Sequence, residues 1–413
     1  MSANSRTRRP VARHGQLRRP RAWSQLLKII GIAMTVVLVS GLGVAAYVVY
    51  DLSQSFVADA VEIEGQEAIP PDIGELKGGI NMLLVGTDEC EEGYEASFGE
   101  RCEEDDGGAR NDVNMLLHIS DEPRRVTVVT YPRDLMIPIP ECVNAEGDTV
   151  GGGYGQINTT YEMGGLNCVV QTVGELSGQS IQFAAKVTWA GVMEITNAIG
   201  GVPVCIANGL TDSHTGLELA PGVHSLSGWT ALQFLRTRYG VGDGSDLGRV
   251  SNQQVYMAAL ARKLVSEEVL TNVGTLLKLA NVTLNNVTPS TSLTNPMLLA
   301  QIALAVKNVP FEDINFLRYP VFDDPDNPAR VIPDYASADM LWEALATNQQ
   351  LQVTGGTDAV GADGSAIPAP ADATPGDGEV IDGEAPVTPG VVSLPSNIKG
   401  QSANVESCAN GVG

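Results

Sequence analysis

Arginine and aspartate recur together in short segments of this chain, and these two residue types suit phosphate chemistry. The segments are Arg110-Asn-Asp112, Pro132-Arg133-Asp134, Arg236-Thr-Arg238 and Asp246-Leu-Gly-Arg249. A guanidinium donates paired hydrogen bonds to phosphate oxygens, and a neighbouring carboxylate can hold the divalent cation that accompanies phosphates. Only 25 of the 413 residues are Lys or Arg. Grouping five arginines in these segments therefore predicts a phosphate-handling site.

Each segment lies at the end of a predicted strand or helix. Taken singly, such a group is more often a surface ion pair worth about 0 to 1 kcal/mol than a functional site. Pro132 ends a strand so that Arg133 and Asp134 emerge at the sheet edge. Asp246 opens a long helix whose N-terminal dipole favours an anionic phosphate. We therefore hypothesise that these ends of strands and helices meet at one edge of the domain, which would explain all four segments together.

Apolar runs with strand and helix character alternate along the chain and predict a layered α/β domain over residues 79–349. Asp88 directly follows the first strand, where α/β sheets present their ligand groups. The predicted strands are 80–86, 113–119, 126–131, 181–187, 202–206 and 314–319. The predicted helices are 166–176, 190–199, 229–236, 250–266 and 297–306.

The sequence lacks the motifs of several enzyme classes. The four histidines are scattered, and the chain contains no H-E-x-x-H, G-x-S-x-G or Walker sequence, which argues against triad hydrolases and P-loop enzymes. His118 lies inside an apolar strand and is predicted to be a core residue. Asn158 and Tyr161, three residues apart on one predicted helix face, either bind sugar or phosphate or serve as a cap and a packed ring.

Residues 29–50 are 22 consecutive uncharged, mostly apolar residues, long enough for one transmembrane helix. Eight Lys and Arg residues and no acid precede them, so residues 1–28 are predicted to be cytoplasmic and the rest extracytoplasmic, as in a single-pass type II protein. A cleaved signal peptide ending near Ala58-Asp-Ala60 is the alternative. The apolar run exceeds a typical signal-peptide core and favours the uncleaved signal-anchor.

Setting aside these eight basic residues leaves 17 Lys and Arg against 49 acidic residues, a net charge of −32. A domain this acidic repels nucleic acid, so nucleic acid is excluded as a partner. The basic N-terminal segment flanks the anchor and suits anionic headgroups instead. The oligomeric state stays open.

The chain beyond the anchor is predicted to begin with a stalk at 51–78 and to end, after the domain, with a disordered Gly-, Pro- and Asp-rich linker at 350–390. The C-terminal segment 391–413 carries Cys408 and is predicted to be tethered by it. Six cysteines without a C-x-x-C pair suit disulfides in an oxidising exterior. Fifteen pairings are possible; sequence proximity favours Cys90 with Cys102 and Cys142 with Cys168, leaving Cys205 for Cys408.

Seven ordered segments between residues 80 and 265 resemble those of the LytR-CpsA-Psr family. They are LLVGTD (83–88), ARNDVNMLL (109–117), TYPRD (130–134), QINTTYEMGG (156–165), AIGGVPV (198–204), SLSGWTALQFLRTR (225–238) and DLGRVSNQQ (246–254). The resemblance implies a three-layer αβα domain with a central mixed sheet and a hydrophobic lipid-binding channel, preceded by one transmembrane helix.

The resemblance also implies a Gram-positive cell-wall phosphotransferase. Such an enzyme moves a glycopolymer from a polyprenyl-pyrophosphate carrier in the membrane to a peptidoglycan hydroxyl. By motif, Mg²⁺ would be held by Asp88 and Asp112. The implied catalytic set is Arg110, Arg133, Asp134 and Asp246, with Asp134 or Asp246 as helper base. The implied pyrophosphate-binding set is Arg110, Arg133, Arg236, Arg238, Arg249, Asn158 and Gln253.

The chain departs from the family pattern at four positions. Cys90 and Asn252 replace frequent arginines, and Asn111 and Val113 stand where Ser and Thr are common. These changes leave open a non-catalytic binder or regulator of lipid-linked polymer, and a lipid pyrophosphatase is a third reading. The two aspartates Asp88 and Asp112 argue against a pure binder, which needs no metal pair.

Overall fold

The computed structural model describes most of the chain beyond residue 79. Its described residues are 57–58, 60–65, 69–70, 72, 79–91, 94, 98, 102, 109–242, 244–265, 269, 273–357, 359–360 and 391–411. Among them, no helix combines the length and apolar character needed to cross a bilayer. The predicted anchor at 29–50 and most of the predicted linker lie outside the described residues.

A seven-stranded mixed sheet forms the centre of the fold, in the spatial order β11-β6-β1-β2-β3-β12-β17. The strands β1, β3, β6 and β12 run in one direction, so their C-terminal ends meet at one edge of the sheet. The bounds are β1 Ile80–Thr87, β2 Asn111–Ile119, β3 Val126–Tyr131, β6 Phe183–Val187, β11 Val287–Pro289, β12 Ile314–Arg318 and β17 Gly400–Ser402.

Helices pack against both faces of this sheet because its strands alternate apolar side chains between the faces. On β1, Leu83 and Val85 pack with α1 and α7, while Ile80 and Met82 face α4 and α6. The helices are α1 Thr160–Ser177, α2 Trp189–Ala198, α3 Gly228–Arg236, α4 Asp246–Val265, α5 Val273–Asn286, α6 Pro296–Lys307 and α7 Tyr335–Ala346. The mixed α/β architecture predicted from the sequence is confirmed.

Smaller sheets complete the domain, and one of them, β10-β7-β18, has its own apolar core with α3 and α4. The hairpins β4–β5 and β13–β14 lie beside the end of β3. The remaining strands are β4 Met136–Val143, β5 Thr149–Gln156, β7 Val202–Ile206, β8 Leu210–Asp212, β9 Leu217–Leu219, β10 Gly222–Leu226, β13 Val321–Asp323, β14 Val331–Pro333, β15 Gln350–Gln352, β16 Val391–Ser393 and β18 Cys408–Ala409.

The C-terminal segment is part of the domain. Its strand β17 pairs with β12 in the central sheet, and β18 pairs with β7. Disulfides join Cys90 to Cys102, Cys142 to Cys168 and Cys205 to Cys408, which confirms the pairing that proximity favoured and the tether through Cys408.

Three local expectations need correction. Residues 350–352, placed in the disordered linker, form β15 and pair with β16, because the C-terminal segment returns beside them. Part of the predicted stalk belongs to the domain, since Val61 exchanges backbone hydrogen bonds with Pro289 and Thr291, and Ile63 is buried in the core. Asn158 lies in a separate 3-10 helix, Ile157–Thr159, so it does not share a regular helix face with Tyr161.

His118 is a core residue, as its position in an apolar strand predicted. It is 4 % exposed, and its Nδ1 lies 2.8 Å from Asn81 Oδ1. Burial lowers the pKa of the imidazole to about 4, against an opposing pull from Asp121. The ring is therefore neutral at physiological pH.

The docking of β17 on β12 depends on a close backbone approach at Gly400. A Cβ there would lie 2.8 Å from Leu317 Cδ2 and closer still to the Phe316 carbonyl oxygen. We expect Gly400→Ala to lower the free energy of unfolding by about 1 to 3 kcal/mol through overpacking. Gly153→Ala, where a Cβ meets nothing within 4 Å, is the control and should change stability by less than about 0.5 kcal/mol. Equal urea midpoints for the two variants would contradict this account.

Candidate functional site

A β-bulge at the start of β2 positions the first residue of the site. Gly86 pairs with Val113 but Thr87 pairs with Asn111, so Asp112 is an extra residue in the ladder. A bulge re-aims the side chain of the inserted residue. Here it brings the Asp112 carboxylate to Arg133, whose Nη1 donates to Asp112 Oδ1 at 3.0 Å.

The end of β3 supplies Arg133 and Asp134. Pro132 ends the strand, and the backbone N–H of Arg133 then donates to Asp246 Oδ2 at 3.2 Å. The Arg133 guanidinium lies 3.7 Å from Asp246 Oδ1 and 3.8 Å from Asp134 Oδ1, both measured from Nε. One guanidinium therefore lies among three carboxylates.

The N-terminus of α4 supplies Asp246 and Arg249. An acid in the first turn of a helix is favourable because it faces the positive end of the helix dipole. Arg249 follows one turn later, with its Nη2 2.7 Å from Asp246 Oδ1. The same Nη2 donates to the Asp112 carbonyl oxygen at 3.0 Å, which ties the helix to the bulge.

Arg330 completes the group from the loop of the β13–β14 hairpin. Its Nη1 donates to Asp134 Oδ1 at 3.3 Å, and Gln156 Nε2 donates to the same oxygen. Sequence reasoning missed Arg330 because the segment before it reads as a turn and carries no motif. We call these six residues the arginine–aspartate cluster: Asp112, Asp134, Asp246, Arg133, Arg249 and Arg330.

Burial and charge act against each other in the cluster. Burial lowers the pKa of Arg133, but the carboxylates of Asp112, Asp246 and Asp134 outweigh it and raise the pKa. Burial raises the pKa of the Asp134 carboxyl, and Asp246 raises it further, against the lowering pull of nearby arginines. The guanidinium is therefore firmly charged, while Asp134 holds a proton more readily than an ordinary aspartate.

An apolar cavity of about 310 Å³ opens beside the cluster. Its walls come mainly from β1, β2, α2, α3 and α4, and its lining includes the charged or amide side chains of Asp112, Arg236, Arg249 and Gln253. The face of α4 that lines it carries Arg249, Gln253, Tyr256, Met257 and Leu260. These positions are spaced so that they lie on one face of the helix. Along that face the wall changes from charged at Arg249 to apolar at Leu260, a distance of about 16 Å.

Arg236 ends α3 and Arg238 follows it, and the two side chains have different surroundings. The Arg236 guanidinium lies 3.9 Å from the centre of the Trp189 ring, in the cavity wall. Arg238 donates from Nε to the Gly244 carbonyl at 2.9 Å, and its charge reaches Asp134, whose pKa it lowers. Arg238 therefore borders the cluster, and Arg236 lines the cavity beside it. Gln253 donates to the Leu235 carbonyl at 3.1 Å and ties α4 to the end of α3.

Asp212, which sequence reasoning did not single out, holds the turn that carries Arg238. Its buried carboxylate accepts the backbone N–H groups of His214, Arg238 and Tyr239 at 2.9, 3.0 and 3.1 Å. Burial raises the pKa of Asp212, but these donors outweigh burial and lower the pKa overall. The ionised side chain therefore fixes the backbone after α3.

Three further residues of the predicted site, Arg110, Asp88 and Asn158, are not members of the arginine–aspartate cluster. Arg110 is mostly exposed and lies 3.8 Å from Glu162. Asp88 is buried and accepts the Arg110 backbone N–H at 2.7 Å, across the end of the β1–β2 ladder. Asn158 is 2 % exposed, and its Oδ1 has no hydrogen-bond partner among the described residues.

Asp88 and Asp112, the two predicted magnesium ligands, are oxygen donors of the kind that Mg²⁺ prefers, and a site made from them would need a ligand to complete it. Among the described residues, no three His, Cys, Asp or Glu side chains form a group that could hold a metal ion. Mg²⁺ is often bound by only one or two carboxylates together with substrate phosphates and water. Asp112 lines the cavity, and Asp88 directly follows the adjacent strand β1, so both are carboxylates of the type this mode uses.

The LytR_cpsA_psr family model matches residues 46–347, well over half of the chain. The chain belongs to the LytR_cpsA_psr family. The match begins before the described domain and ends at the C-terminus of α7, so it includes every residue of the arginine–aspartate cluster.

Relatives of the LytR_cpsA_psr family are similar over much of the domain. The cell wall biosynthesis protein LcpA of Corynebacterium glutamicum is 26 % identical over 70 % of this chain and 58 % of its own length. The polyisoprenyl-teichoic acid–peptidoglycan teichoic acid transferase TagU of Enterococcus faecalis is 27 % identical over 61 % of this chain and 78 % of its own. This chain thus spans little more than half of LcpA.

A solved LytR-Csp2A-Psr enzyme from Actinomyces oris has the same fold, with a TM-score of 0.51 and 22 % identity. The likeness covers 70 % of this chain and 96 % of that one.

Two departures from the LytR_cpsA_psr pattern have structural roles here. Asn252 donates to the Phe234 carbonyl at 3.0 Å, and Asn111 joins β2 to Ile157 and Tyr161.

Replacement of Asp212 tests the turn that carries Arg238. We expect Asp212→Asn to lower the free energy of unfolding by about 2 kcal/mol at pH 7, because hydrogen bonds to a charged acceptor are lost. Since the folded pKa is lowered, this stabilisation is complete above about pH 4 and disappears as the pH falls through the folded pKa. Denaturant titrations at pH 7 and pH 3 should therefore show a smaller difference at pH 3.

The exposed neighbour Glu218, on β9, provides the matched control for Asp212. Glu218→Gln should change stability little at either pH. A stability difference between wild type and Asp212→Asn that is the same at both pH values would contradict the assigned role.

Proposed function

We propose that this protein transfers a glycopolymer from a polyprenyl-pyrophosphate carrier to a peptidoglycan hydroxyl and forms a phosphodiester link. The observation that supports this most is an apolar cavity whose wall continues into a cluster of arginines and aspartates. A lipid diphosphate is a ligand with one apolar and one doubly anionic part. The name of the E. faecalis relative, a polyisoprenyl-teichoic acid–peptidoglycan transferase, agrees with this reading.

The proposal places the polyprenyl tail in the apolar cavity as the lipid channel of a three-layer αβα domain. Leu84, Val192 and Leu260 are among the residues that line it. Burial of apolar chain contributes about 0.8 kcal/mol per methylene group, so even a part of the tail supplies useful affinity. The anchor at 29–50 would hold the domain outside the membrane from which the tail enters.

The diphosphate then lies against Arg249 and Arg236, with Arg133, Arg238 and Gln253 around it. Three arginines and three aspartates nearly balance within the cluster. A diphosphate diester adds negative charge, which a divalent cation between Asp88 and Asp112 would neutralise. Bound Mg²⁺ would also stabilise the charge that develops on the leaving phosphate. Arg110 and Asn158 are not members of the cluster and are further candidates for phosphate contacts.

The transfer itself needs one proton acceptor. The acceptor hydroxyl oxygen attacks the phosphorus that carries the glycopolymer, the bond from that phosphorus to the bridging oxygen breaks, and polyprenyl phosphate leaves. Asp134 is the proposed helper base, because its raised pKa brings it closer to neutral pH than an ordinary aspartate. Asp246 is the alternative base, but its close contact with Arg249 suits orientation better.

The purified chain, incubated with a polyprenyl-pyrophosphate oligosaccharide and a peptidoglycan oligomer with and without Mg²⁺, tests this function. A transferase gives a glycan–phosphate–peptidoglycan product and polyprenyl phosphate. A non-catalytic binder retains the intact lipid, and a lipid pyrophosphatase releases a free glycan phosphate when the acceptor is omitted and also when it is present. The last two results would overturn the proposal.

We expect Arg133→Ala and Asp112→Ala to reduce the transfer rate at least a hundredfold. The first removes a cation from the site where negative phosphate charge develops, and the second removes the carboxylate that positions Arg133 and would hold Mg²⁺. Lys307→Ala, at an exposed position on α6, is the control and should transfer at the wild-type rate. Product formation is followed by mass spectrometry, and circular dichroism checks that each variant is folded. Wild-type rates in both cluster variants would refute the site.

A further inference from the structure

Exposed aromatic side chains collect beside the cluster at Asp134. Five aromatic residues are exposed among the described parts of the chain, and three of them come from elements that border Asp134: Tyr154, Phe322 and Tyr335. Their exposed fractions are 62, 54 and 52 %. A patch of large apolar side chains exposed to solvent usually marks an interaction site.

Tyr154 is tied to the segment that follows Asp134. Its hydroxyl donates to the Met136 carbonyl at 3.1 Å. Gln156 lies two residues further along β5, on the same face of the strand, and donates to Asp134 Oδ1. The Tyr154 ring therefore lies on the strand face that also contacts the proposed base.

Phe322 and Tyr335 belong to the other structure that borders Asp134. The β13–β14 hairpin contacts Asp134 in two ways. The Val331 N–H donates to the Asp134 carbonyl, and the Arg330 guanidinium forms an ion pair with the Asp134 carboxylate. Phe322 pairs with Ile332 in this hairpin, and Tyr335 starts α7 directly after it. Burial raises the pKa of the Tyr154 hydroxyl, and Asp324 and Tyr335 raise it further, so the two tyrosines lie within electrostatic reach.

We propose that Tyr154, Phe322 and Tyr335 form the surface that holds the glycan strand of the peptidoglycan acceptor, with a sugar hydroxyl presented to Asp134. Aromatic faces are electron-rich and attract the partly positive C–H groups of a sugar ring, and a tyrosine adds a hydroxyl for hydrogen bonding. Strand β5 and the β13–β14 hairpin, which carry or directly precede these rings, both contact Asp134, as the acceptor side of the site must. This inference rests on the proposed transfer reaction.

The charges on this surface favour the acceptor over the donor polymer. Asp323 and Asp326 are exposed on the same hairpin, and Asp324 is partly exposed. These carboxylates can accept hydrogen bonds from sugar hydroxyls, but they repel a polymer rich in phosphate. A strand of neutral N-acetylated hexosamines is therefore the occupant that fits.

Calorimetric titration of the full chain with the neutral tetramer of N-acetylglucosamine tests this surface without any donor. We expect binding by the wild type and a roughly threefold to tenfold weaker affinity for Tyr154→Ala, Phe322→Ala and Tyr335→Ala. Tyr154→Phe keeps the ring and should bind nearly as well as the wild type. Leu304→Ala removes an equally exposed apolar side chain on α6 and is the matched control.

Three results would overturn the surface. They are no binding of the tetramer by the wild type, equal affinity in the alanine variants and the control, and competition by polyglycerol phosphate, which would assign the surface to an anionic polymer. A transfer assay separates the two proposals. If the three alanine variants transfer with an unchanged KM for the acceptor, the proposed acceptor surface is refuted but the proposed function is not. Tetramer binding that depends on Tyr154, in a chain that transfers nothing, refutes the proposed function alone.

Discussion

The structure around the site depends on keeping two guanidinium groups charged while they are largely buried. Arg133 and Arg249 are withdrawn from water, and a buried cation is tolerated only beside carboxylates that compensate its desolvation. Asp112 and Asp246 contact both arginines. Removing any one of these four residues leaves two opposite charges with one partner fewer, so each residue stabilises the positions of the others.

This electrostatic requirement explains why the fold converges as it does. Three of the contributing segments are the end of β3, the start of β2 and the start of α4, which are distant in sequence. The mixed sheet places β2 beside β3, and the bulge turns Asp112 towards Arg133. Backbone groups complete the arrangement, because Asp246 accepts the Arg133 N–H and Arg249 donates to the Asp112 carbonyl. Side-chain charge and main-chain hydrogen bonds thus fix the same geometry.

Much of this could be read from the sequence, because long apolar runs determine the buried strands and helices. The grouping of Asp112, Arg133 and Arg249 also followed from their positions at element ends. The direction of a side chain is harder to predict, since it depends on register. Arg110 precedes the bulge and points to Glu162 instead of the cluster. Arg330 arrives from a hairpin that packs on the segment after β3, a tertiary contact that no local pattern encodes.

The helix α4 connects the charged and apolar halves of the proposed site. Its first turn bears Asp246 and Arg249, and the same face reaches Leu260 about three turns later. A tail held along this face therefore fixes how far its diphosphate extends towards Arg133. Asn252 and Gln253 bind the carbonyl groups at the end of α3, so the helix that carries this face cannot slide without also disturbing the segment before Arg236 and Arg238. In the proposed reaction, binding of the apolar tail would thereby fix the position of the phosphorus, and positioning is the main contribution that phosphoryl transfer requires of a protein.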